Sequence, residues 1–400
     1  MPETQHEFLP SIARPRRVAA LISTADISGP GRQLVALAVE LARAGVEFTI
    51  VLLLRPGALQ SFAEFARRHG IACHIVTDRG PFDRAAVRAV DAFIREWRPD
   101  VVQTHSYKQT AIMYLLRRMG VAGASGWPAA MRTQECAWVA LFEGQTDKNA
   151  KDRIYTRIES AMLPAADRLV VMSQLQRRMF PRRPERVRVV HNSVPAAASG
   201  EITTGLPEIL RRVRGGGPVP LIGVVGRLSR EKGVDVFLDS MARLKSRGVR
   251  ATGVIVGDGT ERARLEAQAQ TLGLAGDIVF AGRIEAMTAV YRALDLLVIP
   301  SRSEGLPSVL LEAMQQDLPV VSTRVGAMIE IAAEYPQALD IVAPENPVAL
   351  AEGIAGALDR LAAPERAAAR AAVVAAFSSE RRGRQMLQVY SEAMAQRGHS

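Results

Sequence analysis

Glu304, Glu312, Arg227, Lys232 and His105 are the side chains of this sequence whose types and settings could do chemistry. Glu304 and Glu312 bracket the string Glu-Gly-Leu-Pro-Ser-Val-Leu-Leu-Glu-Ala-Met, residues 304–314. It reads as a turn through Gly305 and Leu306, then a helix with Pro307 at its first position and Val309, Leu310, Leu311 and Met314 on its apolar side. A loop acid before a helix can serve only to offset the helix dipole. Glu312, between Leu311 and Ala313 in an apolar helix, needs a partner. Sugar hydroxyls would satisfy both acids. Arg227 and Lys232 lie in Gly226-Arg-Leu-Ser-Arg-Glu-Lys-Gly233, a turn between an apolar strand and a helix. Two cations beside a helix start repel its dipole unless an anion joins them. A diphosphate suits the pair, since Arg grips with two donors and Lys adds a point charge. The alternative is a solvated surface pair. His105 directly follows the apolar run Val101-Val-Gln-Thr104, at a strand's carboxyl end. A His there is placed for a ligand in an open α/β sheet, but an isolated His is also often a satisfied core residue.

The elements that must position these groups alternate strand and helix. Arg17–Ile22, Glu47–Leu53, Cys73–Val76 and Val101–Thr104 read as strands, with helices over Gln33–Ala44 and Arg84–Trp97 between them. Ala130–Cys136, Ala166–Ser173 and Val187–Val194 continue the pattern, and Glu143–Ile158 reads as a charged loop and helix. In the second half, strands are expected at Val219–Gly226, Val254–Val256, Leu296–Pro300, Val320–Thr323 and Ile341–Pro344, with a further strand end in Ile278–Ile284. Ala349–Ala376 reads as a helix covering the sheet, and Glu380–Ala395 as a final helix. Alternation of this kind makes parallel sheets wrapped by helices.

The full string at 304–314, with its E-x7-E spacing, closely resembles the nucleotide-sugar site of retaining GT-B glycosyltransferases of family 4, the glycosyl transferases group 1. G-R-L-x-x-E-K-G at 226–233 is similar to the same family's diphosphate turn. The resemblance covers residues 17 to 395 or so. It implies an α/β chain of GT-B fold, with two Rossmann-like α/β/α domains facing each other across a cleft. In that reading Glu304 contacts the donor sugar, Glu312 holds the ribose, and the backbone of Gly305, Leu306 and Pro307 cradles donor hydroxyls and phosphate. Gly226, Arg227 and Lys232 bind the diphosphate, and Arg283 and Ile284 lie at the nucleobase. Gly31, in Gly29-Pro-Gly31 where the family has a Gly-Gly pair, approaches the diphosphate across the cleft, and Arg32 is a further phosphate contact. His105 matches a family His that touches the donor sugar. Arg132 and Glu135 replace a His-containing segment as acceptor contacts, or form a structural ion pair. The expected catalytic set is His105, Arg227, Lys232 and Glu304.

Composition bounds the rest. Four hundred residues imply two or more domains. The expected division is 1–197 for the acceptor-side domain, 198–217 for a linker, 218–378 for the nucleotide-sugar domain, and 379–400 for a helix returning to the first domain. No apolar run approaches the ~18 residues of a membrane span, and the start of the chain is polar and acidic rather than signal-like. Two cysteines, Cys73 and Cys136, have neither metal nor redox spacing and suit a cytoplasmic chain. No D-x-D is present, so no metal and no cofactor beyond the donor substrate is expected. Residues 1–217 hold 31 Lys and Arg against 20 Asp and Glu, whereas the whole chain is +10. The basic half suits an anionic membrane face better than nucleic acid, for which no basic helix or stacking motif exists; genomic composition would explain it equally. The resemblance implies a retaining transfer from a nucleotide-diphosphate sugar to a glycan or lipid-linked acceptor, in bacterial cell-surface polysaccharide synthesis, and the composition is compatible with it. A nucleotide-sugar epimerase of the same fold and a non-catalytic glycan- or transferase-binding partner are the alternatives.

Overall fold

The computed structural model describes residues 13–80, 83–122, 136–142, 150–194, 208–215, 219–284, 286–361 and 363–398. A first sheet holds β1 (Arg17–Ile22), β2 (Glu47–Leu54), β3 (Ala72–Thr77), β4 (Val101–His105), β5 (Ala137–Phe142), β6 (Arg168–Val171) and β7 (Val187–Val189). All pair in parallel, in the order β3-β2-β1-β4-β5-β6-β7. Its helices are α1 (Gly29–Arg43), α2 (Ser61–Arg68), α3 (Arg84–Trp97), α4 (Ser106–Ala122), α5 (Ala150–Met162) and α6 (Gln174–Arg177).

After α7 (Glu208–Arg214) the second sheet holds β8 (Leu221–Val225), β9 (Thr252–Val256), β10 (Ile278–Gly282), β11 (Leu296–Ile299), β12 (Val320–Thr323) and β13 (Asp340–Val342). It too is parallel, ordered β10-β9-β8-β11-β12-β13. Around it run α8 (Val234–Ser246), α9 (Arg262–Thr271), α10 (Met287–Ala293), α11 (Ser308–Gln315), α12 (Met328–Glu334), α13 (Pro347–Leu358) and α14 (Pro364–Ala376), and α15 (Ser379–Gly398) ends the chain. Both sheets reverse their winding once, between β1 and β4 and between β8 and β11. Ligands of open α/β sheets bind in the crevice beyond the strand ends at that switch.

Each sheet is buried on both faces, which is why its strands read as continuous apolar runs. Ala19 and Leu21 face α3 and α4, while Val18, Ala20 and Ile22 face α1 and α15. The last helix therefore belongs to the first core: Met386, Val389, Tyr390 and Ala393 are fully buried there. The two strands of chain that join the halves lie side by side, Val194 bridging Ser378.

Four expectations are corrected. Helix α1 starts at Gly29 rather than Gln33, because Ser28 accepts the Gly31 N–H and Pro30 tolerates the first turn, so Gly29-Pro30-Gly31 is helix rather than loop. The wholly buried run Ala137–Phe142 forms β5, and the expected strand over Ala130–Cys136, with Arg132 and Glu135, lies outside the described residues except for Cys136. The latter part of the expected 198–217 linker is helix α7, whose Leu210 is fully buried in the second core. The expected helix Ala349–Ala376 is two, broken ahead of Pro364, which cannot continue a helix. Pro307 caps α11 rather than starting it, since its extended backbone (ψ 130°) precedes Ser308.

Candidate active site

The turns after β8 and β11 come together at the second switch point, and the first of them is also pinned to the end of β9 and the turn that follows it. Gly226 donates its N–H to Val256 O (2.9 Å), and Leu228 donates to Asp258 O (3.0 Å). Gly233 then opens α8 with φ +64°, and a Cβ on it would stand 2.0 Å from Pro300 O. Only glycine permits that approach and that backbone. Arg302 staples the two turns. Its N–H donates to Glu231 O (2.8 Å), and its guanidinium donates to Arg230 O and, bidentately, to Asp235 (2.8 and 2.9 Å). On the other side Gly326, φ +54°, leaves space for the carbonyls of Glu304 and Gly305, and Ala327 N–H donates to Gly305 O (2.8 Å).

This frame brings Lys232 and Glu304 into contact. Lys232 Nζ donates to Glu304 Oε1 (2.6 Å), and Ser301 Oγ donates to the same oxygen (2.7 Å). The Glu304 side chain is 10% exposed and that of Lys232 26%. Glu304 Oε2 has no hydrogen-bond partner among the described residues, and Lys232 keeps further donors. Both line a shallow recess with Gly226, Arg227, Pro300, Ser301 and Val309. Arg227 is mostly exposed, 3.2 Å from Glu231. The start of α11 opens beside them, and its first amides with the helix dipole favour an anion.

The first domain meets this place with a second helix start. A Cβ on Gly29, in the first turn of α1, would come within 3.3 Å of Ser308 Oγ. Asn192 Nδ2 donates to Leu306 O (3.0 Å), so the crossover segment holds the Gly305–Pro307 turn from the other domain. One turn into α11, Glu312 accepts from Tyr291 OH (2.7 Å). Tyr291 is fully enclosed; burial, then the charge of Glu312, push its phenol well above the usual range. Arg32 of α1 is close enough that its charge opposes this.

The structure thus groups Gly226, Arg227, Lys232 and Glu304 around one recess, with Gly305, Leu306, Pro307 and Glu312 following in the same turn and helix. It does not bring the others there. The Gly31 N–H goes to Ser28, and Phe62 carbons would stand 2.7 Å from a Cβ on it, so its glycine has a packing reason. His105 is 2% exposed, with Nε2 2.6 Å from Gln103 Nε2, and Gln103 accepts from Tyr390 OH on α15. That is a buried polar row in the first core. Arg283 is exposed and Ile284 half-buried, and neither lines the recess. Sequence reasoning missed Ser301, Tyr291 and the Arg302–Asp235 staple. Ser301 lies three residues before Glu304, directly after the apolar run Leu296–Pro300, and was the one with a visible signal. Among the described residues no three His, Cys, Asp or Glu side chains gather in a way that could hold a metal ion.

Two family profiles match, "Glycosyl transferases group 1" over residues 210–373 and "Glycosyl transferase 4-like domain" over residues 28–193. The chain is 29% identical over 275 residues to the 2-deoxystreptamine glucosyltransferase of Streptomyces kanamyceticus, covering 66% of this chain and 70% of that one. It is 33% identical over 183 residues to the lipopolysaccharide core biosynthesis mannosyltransferase LpsB of Rhizobium meliloti, covering 43% and 52%. Among solved structures, Anabaena HepE in complex with UDP-glucose superposes with a TM-score of 0.75 at 19% identity, covering 94% of this chain and 99% of that one. Likeness at that level identifies the architecture, the GT-B fold.

Proposed function

The chain belongs to the glycosyltransferases of group 1, and from that premise we propose that it moves a sugar, with retention, from a nucleotide-diphosphate sugar to a glycan or lipid-linked acceptor. One observation carries this reading: the Lys232–Glu304–Ser301 cluster at the mouth of the recess, beside the start of α11. A carboxylate with one free oxygen suits sugar hydroxyls, and a lysine with donors to spare suits a phosphate. HepE's ligand makes a uridine diphosphate sugar the first donor to try.

In the proposed reaction the bond from the anomeric carbon to the β-phosphate oxygen breaks, and a bond to the acceptor oxygen forms on the same face. The acceptor's proton passes to the departing β-phosphate oxygen. Arg227, Lys232 and the first amides of α11 meet the charge that develops on the diphosphate, a preorganised electrostatic role. Glu304 orients the sugar. The reaction needs no metal in this scheme, so EDTA leaves turnover unchanged; a covalent glycosyl-enzyme detected by mass spectrometry would overturn the single-face route.

A thermal-shift panel of UDP-, GDP-, ADP- and TDP-sugars against wild type and Glu312→Ala tests the donor site. A ligand at a hundredfold its dissociation constant stabilises by ~2.7 kcal/mol. One nucleotide class should stabilise the wild type and not the variant. No shift with any donor at millimolar concentration would sink the reading.

The likeness to LpsB supports an acceptor in bacterial cell-surface polysaccharide synthesis. A peripheral contact with an anionic membrane face is supported by the segment from α6 to β7. Residues 174–188 hold six arginines and one acid. Arg177, Arg178, Arg182 and Arg183 are exposed and make no ion pair among the described residues, beside the exposed apolar Leu175 and Met179. Unpaired arginines around apolar side chains suit lipid headgroups. Vesicles containing phosphatidylglycerol should retain the wild type in flotation and release a variant with these four arginines changed to Glu. Among the described residues no helix is long and apolar enough to cross a membrane.

A further inference from the structure

We propose that Tyr291 is a positioning residue: its buried hydroxyl sets the Glu312 carboxylate for the donor. The inference rests on Glu312 being a donor contact, and adds what aims it. Tyr291 lies on α10, which packs against α11, and its ring is part of the second domain's core among Leu310, Leu311 and Met314. Phe would fill such a place without a polar atom to satisfy. The chain instead buries a phenol, whose O–H must find an acceptor, and that acceptor is Glu312 Oε2 at 2.7 Å. Because burial and the neighbouring charge keep the phenol protonated, it acts only as a donor and leaves the charge on Glu312.

The consequence is a carboxylate held by one oxygen. Glu312 is half-buried between Leu311 and Ala313, both fully buried, so its backbone is anchored while its side chain keeps three rotatable bonds. The Tyr291 bond removes much of that freedom before a ligand arrives. Glu312 Oε1 has no hydrogen-bond partner among the described residues and is open to a donor hydroxyl. The pair also lies where the two domains approach, with Arg32 of α1 near Tyr291 and Gly29 against Ser308. A carboxylate set in advance spares a ligand the ordering it would otherwise have to impose.

The test is calorimetric titration of the full-length protein with UDP, with GDP and ADP alongside, for wild type, Tyr291→Phe, Glu312→Ala and the double variant. Tyr291→Phe should raise the dissociation constant about tenfold, the size of one lost hydrogen bond to a charged group. Glu312→Ala should raise it further, and the double variant should match Glu312→Ala alone. In turnover, Tyr291→Phe should raise the donor KM with little change in kcat, and should shrink the wild type's preference for UDP over its 2′- and 3′-deoxy analogues. A purely structural Tyr291 would leave that preference intact. The inference is overturned if Tyr291→Phe binds like wild type while Glu312→Ala does not, or if the two effects add. Should Glu312→Ala also bind like wild type, or should wild type bind none of the three, the donor role of Glu312 fails first.

Discussion

Lys232 and Glu304 form the ion pair on which the proposed chemistry turns, and each is expected to matter more to rate than to stability. A pair that solvent still reaches contributes little to folding, whereas one donor facing developing charge is worth roughly 10² to 10³ in kcat. Lys232→Ala should therefore lose turnover on that order, with a small change in melting temperature. His105 is the harder case, because its buried row with Gln103 and Tyr390 gives it a structural reason to exist. Tyr390→Phe breaks the same row from its far end. If His105 touches the sugar, His105→Ala should lower kcat/KM well below the level of Tyr390→Phe. Equal effects would leave His105 a core residue. Acid sensitivity also belongs to single residues. Burial pushes Asp235 and Asp167 up, but hydrogen bonds and charge from Arg302 and Arg117, respectively, outweigh it and hold both below the usual carboxylate range. A carboxyl depressed in the folded state stabilises the fold above its unfolded value of about 3.9 and loses that contribution as pH falls through the folded one. Melting temperature should drop steeply below about pH 4, and less steeply in Arg302→Leu.

At the level of elements, the site is two turns locked by missing side chains. Gly233 sits under Pro300 O and Gly326 under the carbonyls of Glu304 and Gly305, both with left-handed backbones. Gly233→Ala would add backbone strain to a clash with main-chain atoms that cannot rotate away. It should cost about 2 kcal/mol or more in a denaturant titration and abolish nucleotide-dependent stabilisation, because Pro300 and Ser301 would shift together. The start of α3 at Arg84 was legible here, and Asp83 caps it as a side-chain acceptor. The misplaced start of α1 shows the weakness of the same logic. Gly29-Pro30-Gly31 looks like a loop by composition, yet Ser28 supplies the cap that makes it a first turn.

For the whole molecule the question is how two α/β units share one site. Glu330 of α12 accepts from the backbone N–H groups of Gln174 (2.8 Å) and Leu175 (3.2 Å) in the first domain, with His191 Nε2 at 3.7 Å. Burial keeps His191 below the usual histidine range, so at neutral pH the tie rests on the amide hydrogen bonds rather than on an ion pair. Glu330→Ala should remove on the order of 1 kcal/mol of interdomain attachment. Small-angle scattering should then show a larger ligand-free radius of gyration, and the donor KM should rise. The return of α15 to the first core, with Arg382 donating to Gln33 O and Ser379 to Val194 O, closes the other side of the same joint.

The sequence alone determined the parallel α/β class, the two sheets and the string from Glu304 to Glu312, because each of these is written in local pattern. Apolar runs mark strands buried on both faces, and residue spacing along one turn and one helix is preserved on folding. It could not determine that Ser301 and Lys232 share one oxygen of Glu304, since those residues meet only when β8 and β11 become neighbours. Nor could it show that Tyr291 ends on Glu312, that Gly31 is filled by Phe62, or that His105 turns to Gln103 and the last helix. Apart from the local pair of His105 and Gln103, those contacts join residues far apart in the chain, and packing decides them.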